Sequence, residues 1–476
     1  MTVSSRPRAG WTLAIVSIAL FMTALDNLVV GIALPSIRAE LGGSLESLEW
    51  TVNSYTLAFA VFLLGGAALG DRFGRKRMFA GGLALFTLSS AFAALAPSID
   101  ALVAARAMQG LGAAIVLPLT LTLLNEAVAP ERRGAALGVW AGVSGLGVAL
   151  GPLVGGAVVQ GISWHWIFWL NVPVGLALIP LAARMLTESY GPSARLDVPG
   201  LALAGSGLLG LTFGIVRADS LGWTSATVLA SIAAGLVLLA AFLAWEARAP
   251  EPMLPLRFFR SRGFAATNGV SFAMFFGTFG SIFLLSQFFQ VAQGLSPLEA
   301  GLRTLPWTGM PMIVAPLAGL LSDRIGSRPL MAVGLALQAG ALAWLAVISD
   351  PTTPFGELIV PFVMAGTGMA LVFAPSANAV LGSVRPSEAG QASGATNAIR
   401  EVGGVMGVAV LASVFSAHGG YGDPQAFTDG IGAALPIGAA VLAVGALIAL
   451  LVPGRVRSAR TEAQPAVELA AAPARG

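Results

Sequence analysis

The sequence predicts an all-α integral membrane protein with two similar halves of six spans and two further spans between them. Hydrophobic residues make up 56% of the 476 positions and charged residues only 10%, and the mean hydropathy is +0.83. One soluble core cannot bury that much apolar surface. A charged turn, Asp-Arg-x-Gly, occurs at Asp71–Gly74 and again at Asp323–Gly326, each time between long apolar segments. Such a repeat indicates two related multi-span units.

Fourteen segments are long and apolar enough to cross a bilayer, which takes about 20 residues of helix. They lie at 11–35, 49–70, 78–97, 101–124, 134–160, 164–185, 197–217, 225–247, 264–289, 300–321, 329–348, 356–382, 392–416 and 431–453. The first follows Arg6 and Arg8 as in a signal peptide, but its apolar run is long and lacks a small-x-small cleavage site. We therefore expect it to be retained as a span.

The positions of the two repeated turns divide the chain. They follow spans 2 and 10, so spans 1–6 and 9–14 form the repeats, and spans 7 and 8 are inserted. We predict an amino-terminal six-span bundle at 1–190, two inserted spans at 191–250 and a carboxyl-terminal six-span bundle at 251–455. Residues 456–476 lack an apolar period, which predicts a disordered cytoplasmic tail.

Basic residues alternate between successive connections, as the positive-inside rule requires. The connections assigned to the cytoplasm carry Arg6 and Arg8; Arg72, Arg75, Lys76 and Arg77; Arg132 and Arg133; Arg184 and Arg195; Arg248, Arg257, Arg260 and Arg262; Arg324 and Arg328; Arg385; and Arg455, Arg457 and Arg460. The external connections carry mainly acids, with Arg38 and Arg217 as exceptions. Both termini are therefore expected in the cytoplasm.

The composition argues against several functional classes. There is no Cys, and the two histidines, His165 and His418, are far apart, so we expect no metal site and no cofactor. The only lysine, Lys76, is not in a phosphate-binding loop, so any pumping has to use an ion gradient. A net charge of +3 gives no support for nucleic-acid binding. An intramembrane enzyme lacks a nucleophile, metal or cofactor motif.

Asp26 is a carboxylate within the first span, where an unpaired charge is costly and usually faces a cavity or a partner. It lies about 22 Å from the cytoplasmic end, and Arg106 in span 4 lies about 9 Å below the external surface. These depths are similar. A shared site suits proton transfer, because pairing favours the ionised carboxyl and burial favours the neutral one. The alternative is a purely structural pair that holds two spans together.

Arg400 and Glu401 form a second charged cluster, about 13 Å from the cytoplasmic surface in span 13. Neighbouring helical residues point in different directions, so the two side chains need not pair. Arg400 can then extend towards the cytoplasmic membrane–water interface while Glu401 faces a cavity. Substrate or proton binding by Glu401 and a structural role both remain open.

Span 5 is rich in glycine, with Gly138, Gly147, Gly151, Gly155 and Gly156 beside Pro152. Such a helix is a candidate hinge or seal, whereas close packing of small residues is the simpler explanation.

The two charged turns are candidates for a breakable cytoplasmic gate. Their residues are Asp71, Arg72, Gly74 and Arg75 in the first turn and Asp323, Arg324 and Gly326 in the second. Carboxylates beside helix ends and arginines form inter-helix clamps. Topogenic charge is the alternative, but topology requires the arginines and not the aspartates or glycines.

These motifs resemble the major facilitator superfamily, and specifically its fourteen-span drug:proton antiporter family, over nearly the whole chain. The matching positions are Leu25-Asp26, Val29-Val30 and Ala33-Leu34-Pro35; Leu69, Asp71-Arg72, Gly74 and Arg75-Lys76; Leu102, Arg106, Gln109 and Gly110; Gly138, Gly147, Gly151-Pro152 and Gly155-Gly156; and Trp164 to Phe168 with Asn171-Val172-Pro173. The fifth-span motif is the most discriminating. The departures are Leu28, Gly31, Ala67, His165 and Glu401, where the family more often has Thr, Asn, Gly, Arg and Gln.

The resemblance implies two six-helix bundles around a midplane cavity that opens alternately to each side. It further implies proton-coupled export of lipophilic drugs or related small molecules, with Arg106 in proton transfer and Gln109 beside it. The alternatives are an exporter of one metabolite or natural product, an uptake symporter, or a non-transporting sensor or scaffold. Embedded charges argue against a scaffold. We expect a monomer in a bacterial plasma membrane whose partners are a small-molecule substrate, protons and lipid.

Overall fold

The computed structural model of the chain describes residues 6–129, 133–191, 197–250, 252–385 and 388–454. Within these ranges the secondary structure is helical, without a strand. The helices are α1 Arg6–Leu41, α2 Leu45–Phe73, α3 Arg75–Ala94, α4 Ile99–Ala127, α5 Arg133–Gly161, α6 His165–Trp169, α7 Asn171–Met185, α8 Val198–Leu221, α9 Ala226–Glu246, α10 Arg262–Val291, α11 Pro297–Thr308, α12 Met310–Ile325, α13 Ser327–Ile348, α14 Phe355–Leu381, α15 Ala389–His418 and α16 Pro424–Ala449, with a 3₁₀ helix at Leu256–Arg260. The predicted tail at 456–476 lies outside the described residues, as do Arg132 and Arg195.

Twelve helical segments in the described chain are long and apolar enough to cross a membrane. A thirteenth is possible if α2, which bends by 52° between Leu63 and Gly65, is one span. In α5 the described apolar segment is Ala149–Gly161, which is too short to meet this test. Each of the fourteen predicted segments coincides with helix, but the count of fourteen membrane crossings remains a prediction.

Two predicted spans are each interrupted. The sixth is divided into α6 and α7 at Leu170, and the tenth into α11 and α12 at Gly309. Pro173 and Pro311 lie just after these breaks. Proline has no N–H for the preceding turn and disfavours continuous helix there. The carbonyl of Trp307, four residues before Pro311, lies against Gly366 of α14, where a Cβ atom would come within 2.2 Å.

Side-chain caps and glycines define other helix ends. Ser44, Ser98 and Asp423 each accept a hydrogen bond from a backbone N–H in the first turn of α2, α4 and α16. The repeated turns end in Gly74 and Gly326, whose φ angles are +103° and +88°. Residues with a Cβ rarely adopt this conformation, which explains the glycine in both copies of the motif.

The helices pack in two groups and a hairpin. α1 to α7 contact one another mainly through α2–α4, α3–α4 and α1–α5, and α10 to α16 mainly through α10–α15, α13–α14 and α13–α16. We call these the amino-terminal and carboxyl-terminal groups. α8 and α9 form a hairpin, and α8 also contacts α2 in one group and α15 in the other.

The two groups meet through α1–α10, α5–α11 and α2–α15. Ser286 Oγ and Gln290 Nε2 of α10 donate to the carbonyls of Gly31 and Ile32 at 3.2 and 2.9 Å. The guanidinium carbon of Arg38 lies 4.0 Å from the centre of the Tyr421 ring. These residues occupy the helix ends that the arginine pattern predicts to be external, so the groups are in contact at that end.

Candidate functional site

Asp26 and Arg106 form a fully buried ion pair between α1 and α4. Arg106 Nη1 lies 2.6 Å from Asp26 Oδ2, and both side chains have 0% exposure. Arg106 also donates to Gln109 Oε1 at 2.7 Å and to the Thr51 carbonyl at 3.3 Å. The similar membrane depths that the sequence predicts for the two charges thus correspond to direct contact.

Two amides complete the site around Asp26. Its Oδ1 accepts from Gln109 Nε2 at 2.9 Å and from Asn171 Nδ2 at 2.7 Å. Gln109 also donates to Ser90 Oγ at 2.8 Å. The donors come from α4 and from the first residue of α7, and Ser90 from α3. The sequence analysis missed Asn171 and Ser90 as site residues, although an amide within an apolar segment is a signal that such a partner exists.

Aromatic rings cover the remaining face of Arg106. Its guanidinium carbon is 4.2 Å from the centre of the Tyr55 ring and 5.9 Å from that of Phe168. These distances allow cation–π attraction, which is strongest where water is excluded. Gly110 of α4 makes this approach possible, because a Cβ there would lie 2.2 Å from the Tyr55 carbonyl oxygen.

Of the two surroundings expected for Asp26, a cavity or a partner, the structure shows a partner. Its three side-chain partners, Arg106, Gln109 and Asn171, all belong to the amino-terminal group. A small apolar cavity does lie between the groups, lined by Leu28, Ile32 and Trp307 among others. Asp26 does not line it, so a ligand there would not touch the carboxylate in this conformation.

Arg400 is held inside the carboxyl-terminal group. It does not extend towards the cytoplasmic membrane–water interface, so that prediction is wrong. It donates to Ser376 Oγ at 2.7 Å and to Asn397 Oδ1 at 3.2 Å. Its guanidinium carbon also lies 4.8 Å from the centre of the Phe373 ring and 5.8 Å from that of Phe275. These partners hold the guanidinium within the protein, although Arg400 Nε is buried without a hydrogen-bond partner.

Glu401, the residue after Arg400 on α15, is half-buried. Its Oε2 atom is buried without a hydrogen-bond partner. Tyr55 of the amino-terminal group lies within electrostatic range of Glu401, Asp26 and Arg106. Because α2 packs on α15, Tyr55 is close enough to interact electrostatically with both the buried ion pair of one group and the Glu401 carboxylate of the other.

The first charged turn forms a clamp within the amino-terminal group. Arg75 Nε donates to Asp71 Oδ1 at 2.8 Å, and Arg75 also pairs with Glu126 at the end of α4. The Asp71 carbonyl accepts from the Gly191 N–H at 3.1 Å. Arg72, by contrast, is exposed and packs over the Phe73 ring. The Asp71 pairing is therefore with Arg75, and it ties α2 to α3 and α4.

The second turn has the same backbone form at Gly326, and Arg324 is exposed there. The side chain of Asp323 lies outside the part that the structure describes, so its expected gate contact stays a prediction.

The glycines of α5 lie on two packing faces. Gly147, Gly151 and Gly155 face α1, where added Cβ atoms would come within 3.1 Å of Ala24, Leu28 and Val29. Gly156 faces α11, and a Cβ there would lie 2.3 Å from the Pro297 carbonyl oxygen. Pro152 is buried, and its own carbonyl lies against Gly301 of α11. The helix therefore packs closely against both α1 and the opposite group. The packing of Gly138 lies outside the part that the structure describes.

At the end predicted to be external, the contact around Tyr421 joins the groups through aromatic and polar side chains. Its hydroxyl donates to Gln287 Oε1 at 2.5 Å, while Phe415 and Phe427 pack edge-on against its ring. Burial raises the pKa of the Tyr421 hydroxyl, which therefore stays a neutral donor at physiological pH. Arg38, an exception to the basic-residue pattern, is used in this contact.

Comparison with known proteins identifies relatives along most of the chain. The family profile described as Major Facilitator Superfamily matches residues 16–408. The tetracenomycin C resistance and export protein of Streptomyces glaucescens is 35% identical over 87% of this chain and 77% of its own length. The cephamycin export protein CmcT of Amycolatopsis lactamdurans is 37% identical over 94% and 93%. The multidrug resistance protein Stp of Mycobacterium tuberculosis is 35% identical over 85% and 76%.

Among solved structures, a POT family transporter in complex with a thioalcohol-conjugated peptide superposes with a TM-score of 0.71. The alignment covers 95% of this chain and 99% of that one at 14% identity. At this identity the similarity concerns the fold alone.

Proposed function

The chain belongs to the major facilitator superfamily and is a multi-pass membrane transporter, not an enzyme, and from this premise we propose that it exports lipophilic drugs or related small molecules in exchange for protons. The observation that carries the proposal is the enclosed Asp26–Arg106 pair. Removing two charges from water costs several kcal/mol per ion, and embedded ionisable groups usually mark ion or proton pathways.

In this proposal Asp26 is the proton carrier. As an anion it is held by Arg106, Gln109 and Asn171, which contact it from α4 and α7. Adding a proton removes the ion pair and leaves Arg106 with its neutral acceptors and the Tyr55 ring. The protonation state of one carboxyl therefore changes the free energy of packing among several helices, which is the differential interaction that coupling requires.

Glu401 is the proposed contact for substrate. Asp26 is enclosed, whereas Glu401 is half-buried beside the opposite group and keeps one oxygen without a partner. A substrate with a positive charge or a strong hydrogen-bond donor would satisfy that oxygen. Tyr55 interacts electrostatically with both Asp26 and Glu401, and through it occupancy of one site would change the electrostatic environment of the other.

Alternating access then requires the external contacts to separate. These are the α1–α10 hydrogen bonds, the α5–α11 packing and the Arg38–Tyr421 contact. We propose that the clamp at Asp71 and Arg75, with Arg72 and the turn at Asp323, Arg324 and Gly326, closes the cytoplasmic end when the external end opens. External protons neutralise Asp26 and allow the empty carrier to return.

The proposed architecture is two six-helix bundles at 1–190 and 251–455 with two inserted spans at 191–250. The fourteen crossings place both termini in the cytoplasm. The relatives are bacterial, so we propose a bacterial plasma membrane as the location. The protein would act as a monomer.

The second candidate is an exporter dedicated to one natural product. The names of two relatives favour it, because each refers to export of one antibiotic, tetracenomycin C or cephamycin. The name of the third refers to multidrug resistance and favours the broader range.

Proteoliposomes with an imposed pH gradient separate these functions. Wild type and Glu401→Gln would be tested against lipophilic cations, neutral drugs, zwitterions and the two named antibiotics. Gradient-driven movement of several lipophilic cations, reduced in Glu401→Gln, would support the drug exporter. Movement of one antibiotic alone would favour the dedicated exporter. With verified folding, no movement of any of these compounds would contradict both.

A further inference from the structure

A pair of acidic residues lies away from the proposed transport site, at one end of the α8–α9 hairpin. Asp197 precedes α8, and Glu246 is the last residue of α9. A Cβ atom placed on the buried Gly200 would lie 2.4 Å from Asp197 Oδ2 and 2.8 Å from Glu246 Oε1. The two oxygens therefore approach the same point beside the α8 backbone.

Each of these carboxyl groups uses only one oxygen for hydrogen bonds. Asp197 Oδ1 accepts from the Gly200 N–H at 2.9 Å and from Trp245 Nε1 at 2.8 Å. Glu246 Oε2 accepts from the Leu254 N–H at 2.9 Å. The other two oxygens, Asp197 Oδ2 and Glu246 Oε1, are buried without a donor. Glu246 as a whole is only 3% exposed.

Basic side chains near this end of the hairpin have other partners. Arg248 donates to the Ala244 carbonyl at 3.2 Å, and Arg257 pairs with Glu388 at 2.8 Å. Within the part of the chain that the structure describes, neither Asp197 nor Glu246 has a basic group within 4.0 Å.

The charged groups on the helices packed against α8 are also engaged elsewhere. On α2, Glu46 pairs with Arg217 of α8 at 3.0 Å, Glu49 lies within electrostatic range of Tyr421, Asp71 pairs with Arg75, and Arg72 packs over the Phe73 ring. On α15, Arg400 donates to Ser376, Glu401 lies within electrostatic range of Tyr55, and His418 contacts the Val414 carbonyl. Cation pairing therefore does not explain the two facing oxygens.

We propose that Asp197 and Glu246 form a proton-binding site in which one proton is shared between Asp197 Oδ2 and Glu246 Oε1. Two ionised oxygens in contact repel each other, whereas a single proton makes one carboxyl a donor to the other. The bound proton joins three segments: the start of α8, the end of α9 and the chain at Leu254 that leads to α10. The site therefore fixes the hairpin and this linker together. Through α8, the hairpin also contacts both helix groups.

Amide substitutions test the shared proton directly. In Glu246→Gln the amide oxygen accepts from Leu254 while the NH₂ donates to Asp197; in Asp197→Asn the roles are reversed. Each single variant therefore mimics the protonated pair and should keep the wild-type Tm at mildly acidic pH. The double variant places two NH₂ groups against each other and should lose Tm at every pH. A merely structural pair of acids does not predict that difference.

The pH dependence has a definite sign. The folded pair binds one proton more than two ionised carboxyls of the unfolded chain, so wild-type stability should fall as pH rises through the loss of that proton. Thermal unfolding in detergent, from mildly acidic to mildly alkaline pH, should show a steeper fall for wild type than for either single variant. Glu357→Gln, which changes an exposed acid at the start of α14, is the control and should follow wild type.

The difference between the infrared spectra of wild type and Glu246→Gln gives a second readout. A protonated carboxyl C=O band present in wild type at neutral pH should be absent in Glu246→Gln. Identical pH profiles for wild type and the single variants, with no lost band, would overturn the proposal. Selective stabilisation of wild type by Na⁺ or Mg²⁺ would also overturn it, since the occupant would then be a metal cation. None of these outcomes depends on transport.

Discussion

Asp26 is stabilised as an anion by three side chains, and each of them has a further role. Arg106 supplies the opposite charge, and Gln109 links the carboxylate to Ser90. Asn171 donates from the break between α6 and α7, where the backbone changes course. Loss of Arg106 leaves Asp26 Oδ2 without its donor, which costs about 1 to 3 kcal/mol, whereas Oδ1 keeps one of its two donors when Gln109 or Asn171 alone is lost. A change in the charge of Asp26 therefore also changes the hydrogen bonds of its neighbouring side chains.

At the Tyr55 position, the ring rather than the hydroxyl should matter for holding Arg106. Tyr55→Phe keeps the aromatic face 4.2 Å from the guanidinium, whereas Tyr55→Leu removes it. We expect Tyr55→Leu to lose about 1 to 2 kcal/mol of cation–π attraction and to lower coupled transport. Transport and Tm measured for both variants check this. Equal activity of Leu and Phe variants would contradict a role for the ring.

The sequence predicts this site only in part. Asp26 and Arg106 stand out because charges are rare within spans, and their depths can be counted along helices. Asn171 and Ser90 are short polar residues that helices tolerate with or without a partner, so their pattern does not distinguish them. The path of Arg400 was predicted wrongly because its direction depends on Ser376 and on rings from other helices.

At the scale of elements, α5 shows how glycine positions determine which helices meet. Three glycines spaced four apart face α1, and the neighbouring Gly156 faces α11. Sequence spacing alone predicts small-residue packing, but not which glycine contacts the opposite group. That assignment depends on how the two groups are oriented.

Gly156→Ala should weaken the external contact between α5 and α11. Its Cβ would lie 2.3 Å from a backbone oxygen, and such overpacking costs about 1 to 3 kcal/mol. Gly142→Ala is the matched control on the same helix, since nothing lies within 4 Å of that Cβ. Distances between spin labels on α5 and α11 should increase in Gly156→Ala only. Unchanged distances there would show that this close approach does not support closure.

At the scale of the whole molecule, the contacts at the predicted external end would hold one of the two states that the proposed alternating access requires. Hydrogen bonds to the carbonyls of Gly31 and Ile32, the α5–α11 contact and the Arg38–Tyr421 pair all lie at the same end. The repeated turns predicted two related halves, but no short motif could predict which end of the halves is in contact. That depends on small free-energy differences between states.

Arg38→Leu should make the external end open more often, because about 1 kcal/mol of cation–π attraction is lost. The chain has no cysteine, so Leu28→Cys, beside the cavity between the groups, provides a unique reporter. We expect faster labelling from outside when Arg38→Leu is added. Arg217→Leu is the control, since Arg217 pairs with Glu46 between α8 and α2. Equal labelling of the two variants would contradict a gating role for Arg38.

The most direct test of proton coupling compares wild type with Asp26→Asn in proteoliposomes, using a substrate that wild type moves under a pH gradient. The exposed acid variant Asp100→Asn serves as the control. We predict that wild type and Asp100→Asn accumulate substrate and carry protons in return, whereas Asp26→Asn folds, binds substrate and shows no gradient-driven accumulation. Accumulation by Asp26→Asn at the wild-type rate would contradict the assignment of Asp26 as the proton carrier.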